Sequence, residues 1–253
     1  MSQLLVTGGT GTLGRVIVHE LTATSRSVRV LSRRPRTNDT SGADWVVGDL
    51  RSGLGVDDSV AGIDTIVHCA SGRGDAVSAK NLVRAAAAAN CSHVVFISIV
   101  GVDEIPIGYY RSKRAAERVI EDCGLPYTIL RTTQFHTLIT RALTSLARLP
   151  VMPVPARTSF QPIDVREVAA RLIELASAAP GGRVADMGGP EILRTEELAR
   201  TYLDVRGRRR LIAPLSLPGR GFAGFRRGAN LTPDHAVGTQ GFRQFLIDTS
   251  PNP

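Results

Sequence analysis

The sequence predicts a doubly wound α/β fold, in which helices cover both faces of a parallel β-sheet, with a small C-terminal lobe. Short apolar runs alternate with helical apolar patterns, and short turns join them. This order implies right-handed crossovers and a parallel sheet. A glycine-rich turn also joins the first strand directly to the first helix. We therefore expect residues 1–131 to form the core, and residues 132–253 to add its remaining elements and the lobe, as one compact structural unit.

Composition favours one large domain in a reducing compartment. A chain of 253 residues with 43% hydrophobic content can bury a sizeable core. The cysteines Cys69, Cys91 and Cys123 lie far apart without C-x-x-C spacing, so neither a metal site nor a disulfide framework is expected. The sequence has no charged leader and no apolar run of about 18 residues. We expect a soluble, cytoplasmic protein without membrane association, and make no prediction of its oligomeric state.

The formal charge of +8 comes from arginine, since only Lys80 and Lys113 are lysines. The arginines are spread along the chain and cluster only at residues 206–210, where no aromatic residues or DNA-binding motif accompany them. The cluster follows a predicted helix, whose last turn favours positive charge. We therefore expect a solvated surface and no specific binding of nucleic acid. The rarity of lysine makes each lysine informative.

The glycine-rich turn carries the first functional signal. A buried strand at residues 4–6 is followed by Gly8, Gly11 and Gly14, and a helical pattern begins at Leu13. Glycine at these positions permits a tight turn, a close approach to a pyrophosphate and close contact between helix and strand. The helix start offers unpaired N–H groups to the same pyrophosphate. An ordinary glycine-rich turn is the alternative, but the position on the first strand favours a dinucleotide site.

The second strand indicates which dinucleotide would bind. It ends in Ser32, Arg33 and Arg34, with no acidic residue. An acid at this point commonly binds the ribose hydroxyls of NAD, whereas arginine accommodates the 2′-phosphate of NADP. NADP is therefore the predicted cofactor. The alternative is that both arginines face solvent without a ligand.

Residues 7–14 contain the spacing G-x-x-G-x-x-G. This segment resembles the extended and atypical short-chain dehydrogenase/reductases, particularly the NmrA-like NAD(P)H-binding group, and the resemblance implies a Rossmann-like fold. It also implies that Asp49, after the third strand, borders the adenine and that Leu50 contacts the ring. A helix cap is the alternative role for Asp49.

Small residues follow the fourth strand at Cys69, Ala70 and Ser71, where they would let the chain pass under the cofactor ribose. His68 and Cys69 could form a reactive pair, but neighbouring strand residues point to opposite faces. The predicted cofactor contacts are Gly8, Thr10, Gly11, Thr12, Leu13, Gly14, Ser32, Arg33, Arg34, Asp49, Leu50, Cys69, Ala70, Ser71 and Lys113.

Tyr109, Lys113 and Ser98 are the predicted catalytic residues. Tyr109 and Lys113 stand four apart at the start of a predicted helix and share one face, while Ser98 follows the fifth strand. A free phenol, with a pKa of about 10, is a weak acid at neutral pH, and a nearby ammonium would lower that pKa. The spacing matches the Y-x-x-x-K signature of the short-chain dehydrogenase/reductases. A surface helix with an incidental tyrosine and lysine is the alternative.

Departures from that family leave two functions open. Ser98 stands one residue from where many relatives carry the catalytic hydroxyl, and Asp75 lies where extended members carry Asn. The first hypothesis is an NADP-dependent oxidoreductase that transfers hydride to a small carbonyl or quinone-like acceptor. The alternative is a non-catalytic NADP(H)-sensing regulator of the NmrA-like type. An epimerase or dehydratase of nucleotide sugars is less favoured because the C-terminal lobe is short.

The C-terminal half is expected to hold the substrate. Gln134, Phe135 and His136 follow the sixth strand and are predicted to line the substrate pocket, although a lone histidine near a helix start is more often a packed or capping residue. We expect an irregular loop at 150–155, a strand at 184–187, and helices at 166–178 and 191–206, capped by Asp164 and Thr195. Residues 214–241 are interpreted as a lid or lobe surface, with a partner-binding patch or simple packing as alternatives.

Overall fold

The computed structural model describes residues 3–36, 42–72 and 74–250. These residues form two compact units. The first contains the described residues up to Ser98, together with Gly108–Arg131 and Val168–Ala185. The second contains Ile99–Ile107, Thr132–Glu167 and the described residues from Asp186 onward.

Strands and helices are numbered along the chain. The strands are β1 (Leu4–Thr7), β2 (Val28–Ser32), β3 (Asp44–Val47), β4 (Thr65–His68), β5 (His93–Ile99), β6 (Tyr127–Thr132), β7 (Val151–Pro155), β8 (Ser159–Phe160), β9 (Gly182–Arg183), β10 (Leu193–Arg194) and β11 (Leu211–Leu215). The helices are α1 (Thr12–Ala23), α2 (Val56–Val60), α3 (Asp75–Ala88), α4 (Gly108–Glu121), α5 (His136–Leu146), α6 (Val165–Ser177), α7 (Thr195–Val205), α8 (Arg220–Arg226) and α9 (Phe242–Asp248).

The first unit is built on a seven-stranded sheet with the strand order β3-β2-β1-β4-β5-β6-β9. Val6 of β1 pairs in parallel with Val30 of β2 on one side and with Val67 of β4 on the other. The strand order reverses between β1 and β4, and ligands of such sheets bind at the carboxyl ends of the strands at this switch point. The predicted doubly wound parallel fold is confirmed.

Burial explains why this segment forms a parallel sheet. Every residue of β1, β4 and β5 is buried, as expected when helices cover both faces. On one face, Leu5, Ile66 and Val94 belong to a cluster with residues of α2 and α3. The alanine run of α3 allows α4 to approach closely, and Ala79 and Ile120 share a second cluster. The start of α4 is thereby positioned against the sheet.

The second unit has its own core. Strands β7 and β11 pair in parallel, and β8 and β10 pair antiparallel. Helices α5, α7 and α9 surround a separate buried cluster. This cluster includes Ile139, Leu143, Leu198, Tyr202, Phe242 and Phe245.

Two strand predictions in the C-terminal half are wrong. Residues 150–155 were expected to be irregular because of their prolines, yet Val151–Pro155 forms β7. A two-stranded sheet tolerates proline because each strand is an edge, where an N–H group can be absent. The strand expected at 184–187 is instead the shorter β9 at Gly182–Arg183, and Met187 forms only an isolated bridge with Thr132.

Of the two predicted helix caps, one is confirmed and one is displaced. Asp164 Oδ1 accepts a hydrogen bond from the Arg166 N–H at 2.6 Å and so caps α6. Thr195 is the first residue of α7 rather than its cap, because β10 occupies the positions just before it. The Arg194 N–H instead donates to Glu197 Oε2 at 2.7 Å.

The segment 214–241 contains α8 and part of β11. Phe225 of α8 lies against Phe160, with ring centroids 5.8 Å apart, and against Phe222 at 6.2 Å. These aromatic contacts show internal packing within the second unit.

Within the described residues, no helix combines the length and the apolar character needed to cross a membrane.

Candidate functional site

The glycine-rich turn has the backbone geometry that a dinucleotide pyrophosphate requires. The Gly11 N–H donates to the Gly8 carbonyl at 2.8 Å, which closes the turn. Gly8 has a φ of +71°, and a Cβ there would lie 2.6 Å from the Ala70 backbone nitrogen. A Cβ at Gly14 would overlap the Gly8 carbonyl. Side chains at either position would therefore break the turn.

The start of α1 fits an anion for the same reason. Its N-cap is Gly11, and in the described residues of the first turn there is neither an acidic side chain nor a side-chain cap. The first N–H groups of a helix have no partner within the helix, and the helix dipole favours negative charge there. The residues present therefore fit the pyrophosphate of a dinucleotide.

The carboxyl end of β2 carries the two arginines expected to select NADP. Ser32 is buried, and its hydroxyl accepts a hydrogen bond from the Arg34 N–H at 3.3 Å. Both Arg33 and Arg34 are exposed, and neither guanidinium contacts a hydrogen-bonding or ionic partner within the described parts of the chain. They are therefore open to a ligand phosphate, and their role remains a prediction.

Asp49 and Leu50 form a turn after β3. Asp49 Oδ1 accepts from the Arg51 N–H at 2.9 Å, so this carboxylate closes a turn and does not cap α2, which follows Gly55. Leu50 is buried in the core of the first unit. Its carbonyl accepts from Asn81 Nδ2 at 2.8 Å. Asn81 thus holds the turn on α3, and the adenine contacts of Asp49 and Leu50 remain predictions.

His68 and Cys69 do not form a reactive pair. His68 Nδ1 is 2.6 Å from the Thr7 hydroxyl, and its ring stacks on Phe96 with centroids 5.2 Å apart. Burial, helped by the positive charge of Lys113, lowers the pKa of His68 to about 3. Burial raises the pKa of the Cys69 thiol to about 12, although Lys113 opposes it. Both groups are therefore neutral at physiological pH, and Cys69 is a small packing residue beside the predicted cofactor.

Lys113 lies inside the first unit with its charge enclosed. Only 2% of the residue is exposed. Its Nζ donates to the Ile97 carbonyl at 3.1 Å, lies 4.6 Å from the centre of the Phe96 ring and is 3.8 Å from Asp75 Oδ2. Burial lowers the pKa of Lys113, and the negative charge of Asp75 is the largest influence that raises it again.

Asp75 is the charge partner that sequence reasoning did not identify. It begins α3, and its Oδ1 accepts from the Gly72 N–H at 2.5 Å. Its buried Oδ2 has no hydrogen-bond partner among the described residues, so the ion pair with Lys113 is its principal compensation. Burial raises the pKa of Asp75, and Lys113 and the Gly72 bond oppose that rise. Nothing local in the sequence links positions 75 and 113.

Tyr109 lies in the first turn of α4 and is 46% exposed. Burial of its phenol raises the pKa above 10.0, a hydrogen bond with Ser71 opposes this, and the charge of Asp75 raises it further. Lys113 does not contribute to this shift. The lowered pKa expected for Tyr109 is therefore not seen in the chain alone, and an effect of Lys113 on this phenol beside an oxidised nicotinamide remains a prediction. Solvent screening reduces the size of any such effect on a group this exposed.

Ser98 lies within β5 rather than after it, because the strand continues to Ile99. Its side chain is buried, and its hydroxyl has no hydrogen-bond partner within the described part of the chain. The catalytic role of Ser98 remains a prediction.

A buried ion pair next to this site was not predicted. Arg131 of β6 bonds Glu117 of α4 through two contacts, Nε to Oε1 at 2.8 Å and a terminal nitrogen to Oε2 at 2.6 Å. Both side chains are almost fully enclosed. Glu117 stands one helical turn after Lys113, and its charge also raises the pKa of that lysine. The pair fixes α4 to the sheet.

The predicted substrate residues Gln134, Phe135 and His136 belong to the second unit. His136 is buried, with Nε2 2.9 Å from the Gln240 carbonyl and its ring stacked on Phe245 at 4.9 Å. Burial lowers its pKa, while the Gln240 bond and nearby carboxylates oppose that shift. This environment is that of a packed histidine. A role of Gln134, Phe135 and His136 in lining a substrate pocket remains a prediction.

Within the described residues, no group of three or more His, Cys, Asp or Glu side chains could bind a metal ion.

Comparisons with known proteins agree with this geometry. A profile of the family described as NAD(P)H-binding matches residues 8–174. The chain is 30% identical over 181 residues to the photosystem II assembly factor Ycf39 of Trieres chinensis, covering 66% of this chain and 57% of that protein. It is 29% identical over 213 residues to a (4-alkanoyl-5-oxo-2,5-dihydrofuran-3-yl)methyl phosphate reductase of Streptomyces griseus, covering 81% of this chain and 74% of that one.

Among solved structures, the NADPH-dependent quinone oxidoreductase of Escherichia coli in complex with NADPH has a TM-score of 0.84. It shares 18% sequence identity with this chain, and the match covers 97% of this chain and 99% of that one. At this identity the likeness concerns the fold. The family match supports a nicotinamide dinucleotide as the cofactor.

Proposed function

Because this chain belongs to the NAD(P)H-binding family, we propose that it is an NADP-dependent oxidoreductase of the NmrA-like branch of the short-chain dehydrogenase/reductases. Its acceptor is a small carbonyl or quinone-like compound. One observation carries the proposal. An exposed Tyr109 and a buried, charge-paired Lys113 lie on a single helix. This helix lies beside the carboxyl ends of the strands, where the glycine-rich turn also lies. The names of the reductase and quinone oxidoreductase relatives support this class of reaction.

The residues of the chain divide the work of carbonyl reduction. The cofactor, when bound, supplies the hydride. Tyr109 supplies the proton, because its phenol is protonated at neutral pH and partly exposed, although its raised pKa makes it a weaker acid than a free tyrosine. In the chain alone Lys113 does not lower the pKa of Tyr109, so its proposed role is to stabilise the phenolate left behind once the cofactor is bound. Asp75 keeps that ammonium charged in an enclosed position, where burial alone would favour its neutral form.

The exposed Arg33 and Arg34 support selection of NADP over NAD. We expect NADPH to bind at least about tenfold tighter than NADH, because a charge-assisted hydrogen bond contributes about 1.5 to 3 kcal/mol. Calorimetry on the Arg33→Ala/Arg34→Ala variant should show equal affinities for NADPH and NADH. The control variant Arg84→Ala/Arg171→Ala removes the same charge elsewhere and should keep the preference. Equal affinities in the unchanged protein would contradict this assignment.

Turnover assays test the catalytic roles. NADPH oxidation is followed with a panel of small aldehydes, ketones and quinones as acceptors. Tyr109→Phe should abolish turnover with nearly unchanged NADPH affinity, whereas Lys113→Ala should damage both. Tyr110→Phe is the matched control because it removes the neighbouring phenol hydroxyl, and it should matter far less. Retained turnover in Tyr109→Phe would exclude Tyr109 as the proton donor.

The regulator hypothesis makes the opposite prediction. If no acceptor is reduced, yet NADP and NADPH differ in how they change the binding of a partner molecule, the chain acts as a redox sensor. The pairing of Lys113 with Asp75 is compatible with both roles, so turnover decides between them.

A further inference from the structure

We propose that the second unit binds a small phosphorylated molecule in a groove along α5. This α5 groove is a cavity of about 600 Å³ formed wholly by residues of the second unit. Pockets for small ligands in proteins have this order of volume. The lining residues that matter to the argument are Thr140, Arg141, Thr144, Arg148, Arg206 and Phe245.

The charge of the α5 groove is its first distinguishing property. Arginine is common in this chain, so an exposed arginine alone indicates little. Here Arg141, Arg148 and Arg206 line one cavity, and its described lining includes no carboxylate. The guanidinium groups of Arg141 and Arg148 form no hydrogen bond or ion pair within the described parts of the chain. The nearby acid Asp204 is instead paired with Arg243 at 2.8 Å.

Arg206 is held in a defined position. It follows the last residue of α7, and its guanidinium donates to Ser250 Oγ at 2.5 Å and to the Thr249 carbonyl at 3.5 Å. Both partners are neutral, and no described residue pairs a negative charge with Arg206. A fixed guanidinium loses less conformational freedom on binding a ligand than a mobile one does.

The hydroxyl groups of α5 are the second distinguishing property. Residues 137, 140, 141, 144, 145 and 148 recur at helical spacing, so polar and basic side chains form one stripe. Thr144 Oγ1 donates to the Thr140 carbonyl at 2.8 Å, and Ser145 Oγ donates to the Arg141 carbonyl at 3.0 Å. Thr140 makes no such bond, and its buried hydroxyl has no partner among the described residues. Thr140 lines the groove, so a rotation of its side chain would bring this unused donor to a ligand.

These groups together select a phosphate ester. Guanidinium groups match the oxygens of phosphate in charge and geometry, and a hydroxyl donor adds a directed hydrogen bond. The volume exceeds what one inorganic phosphate fills, and the mostly buried Phe245 contributes a small apolar edge to its lining. Sugar phosphates and similar phosphomonoesters combine these features.

The direct test is calorimetric titration of the full chain with ribose 5-phosphate at physiological salt. NADPH is present throughout, so that phosphate binding at the glycine-rich turn is suppressed. We expect one bound ribose 5-phosphate per chain, weaker binding of inorganic phosphate and no binding of ribose. Absence of binding by both phosphates would overturn the proposal.

Matched variants locate the site. Arg141→Gln/Arg148→Gln should weaken ribose 5-phosphate binding at least about tenfold, equivalent to about 1.4 kcal/mol. The control Arg200→Gln/Arg227→Gln removes two exposed charges from other parts of the second unit and should leave affinity within about twofold. Thr140→Val should cause a smaller loss of about threefold. Equal losses in both arginine variants would show a diffuse effect of net charge and refute a built site. Preferential binding of an oligonucleotide that depends on Arg208 and Arg209 would also overturn the proposal.

Discussion

The ion pair between Asp75 and Lys113 leads to a quantitative prediction. The charged atoms are 3.8 Å apart, and the side chains are 4% and 2% exposed. With an effective dielectric constant of about 20, two unit charges at that distance attract by about 4 kcal/mol. This attraction favours the charged form of Lys113, whereas burial favours the neutral form. Asp75→Asn keeps the shape of the side chain and removes the attraction, so the pKa of Lys113 should fall further.

The chain is well suited to measuring this change because Lys80 and Lys113 are its only lysines. Protein labelled with ¹³C at lysine Cε should give two resonances, and Lys80→Arg assigns them. We expect the Lys113 resonance of Asp75→Asn to titrate at lower pH than in the unchanged protein, while Lys80 keeps its titration. Asp57→Asn is the control, because Asp57 is an exposed acid paired with Arg84.

Asp75→Asn should also change how the free energy of unfolding depends on pH. A lysine whose pKa is lower in the folded state binds fewer protons than in the unfolded chain, so stability rises with pH up to the unfolded pKa of about 10.4. Urea denaturation should therefore show a steeper rise between neutral and alkaline pH for Asp75→Asn than for the unchanged protein. An unchanged Lys113 titration together with an unchanged pH dependence would refute the assignment of Asp75 as its charge partner.

Three further predictions concern other parts of the structure. Because the pKa of Tyr109 is raised, its phenol contributes stability below about pH 10 that is lost at higher pH. The difference in tyrosinate absorbance between the unchanged protein and Tyr109→Phe reports this phenol and should develop above pH 10.0. Development of that absorbance below pH 10.0 would contradict the structure. Arg131→Met should cost about 3 to 5 kcal/mol in urea denaturation because it leaves the enclosed Glu117 carboxylate unpaired, and Glu117→Gln/Arg131→Met should cost less; a larger cost for the double variant would disprove this. DNA binding through residues 206–210 should be independent of sequence and fall steeply between about 50 and 200 mM salt, and a sequence-selective complex at the higher salt would count against this.

Local sequence patterns were sufficient to predict the parallel sheet and the glycine-rich turn. The strand and the helix that flank Gly8 and Gly14 are contiguous, and the steric need for glycine acts over a few residues. The spacing of Tyr109 and Lys113 likewise predicted a shared helix because both positions lie within two turns of α4. Patterns of this range determine local conformation, and short connections then restrict the topology.

The charge environment of the site depended on contacts between distant residues. Asp75 meets Lys113, and Glu117 meets Arg131, only after α3, α4 and β6 have packed together. Such encounters leave no periodic signal in the sequence, so neither the pairing of Lys113 nor the raised pKa of Tyr109 could be predicted. The sequence by itself determined the fold class, the glycine-rich turn and the identity of the candidate catalytic residues. Tertiary structure alone decided which side chains are enclosed and which charges they face, because desolvation and Coulomb energies depend on distances that only the folded chain defines.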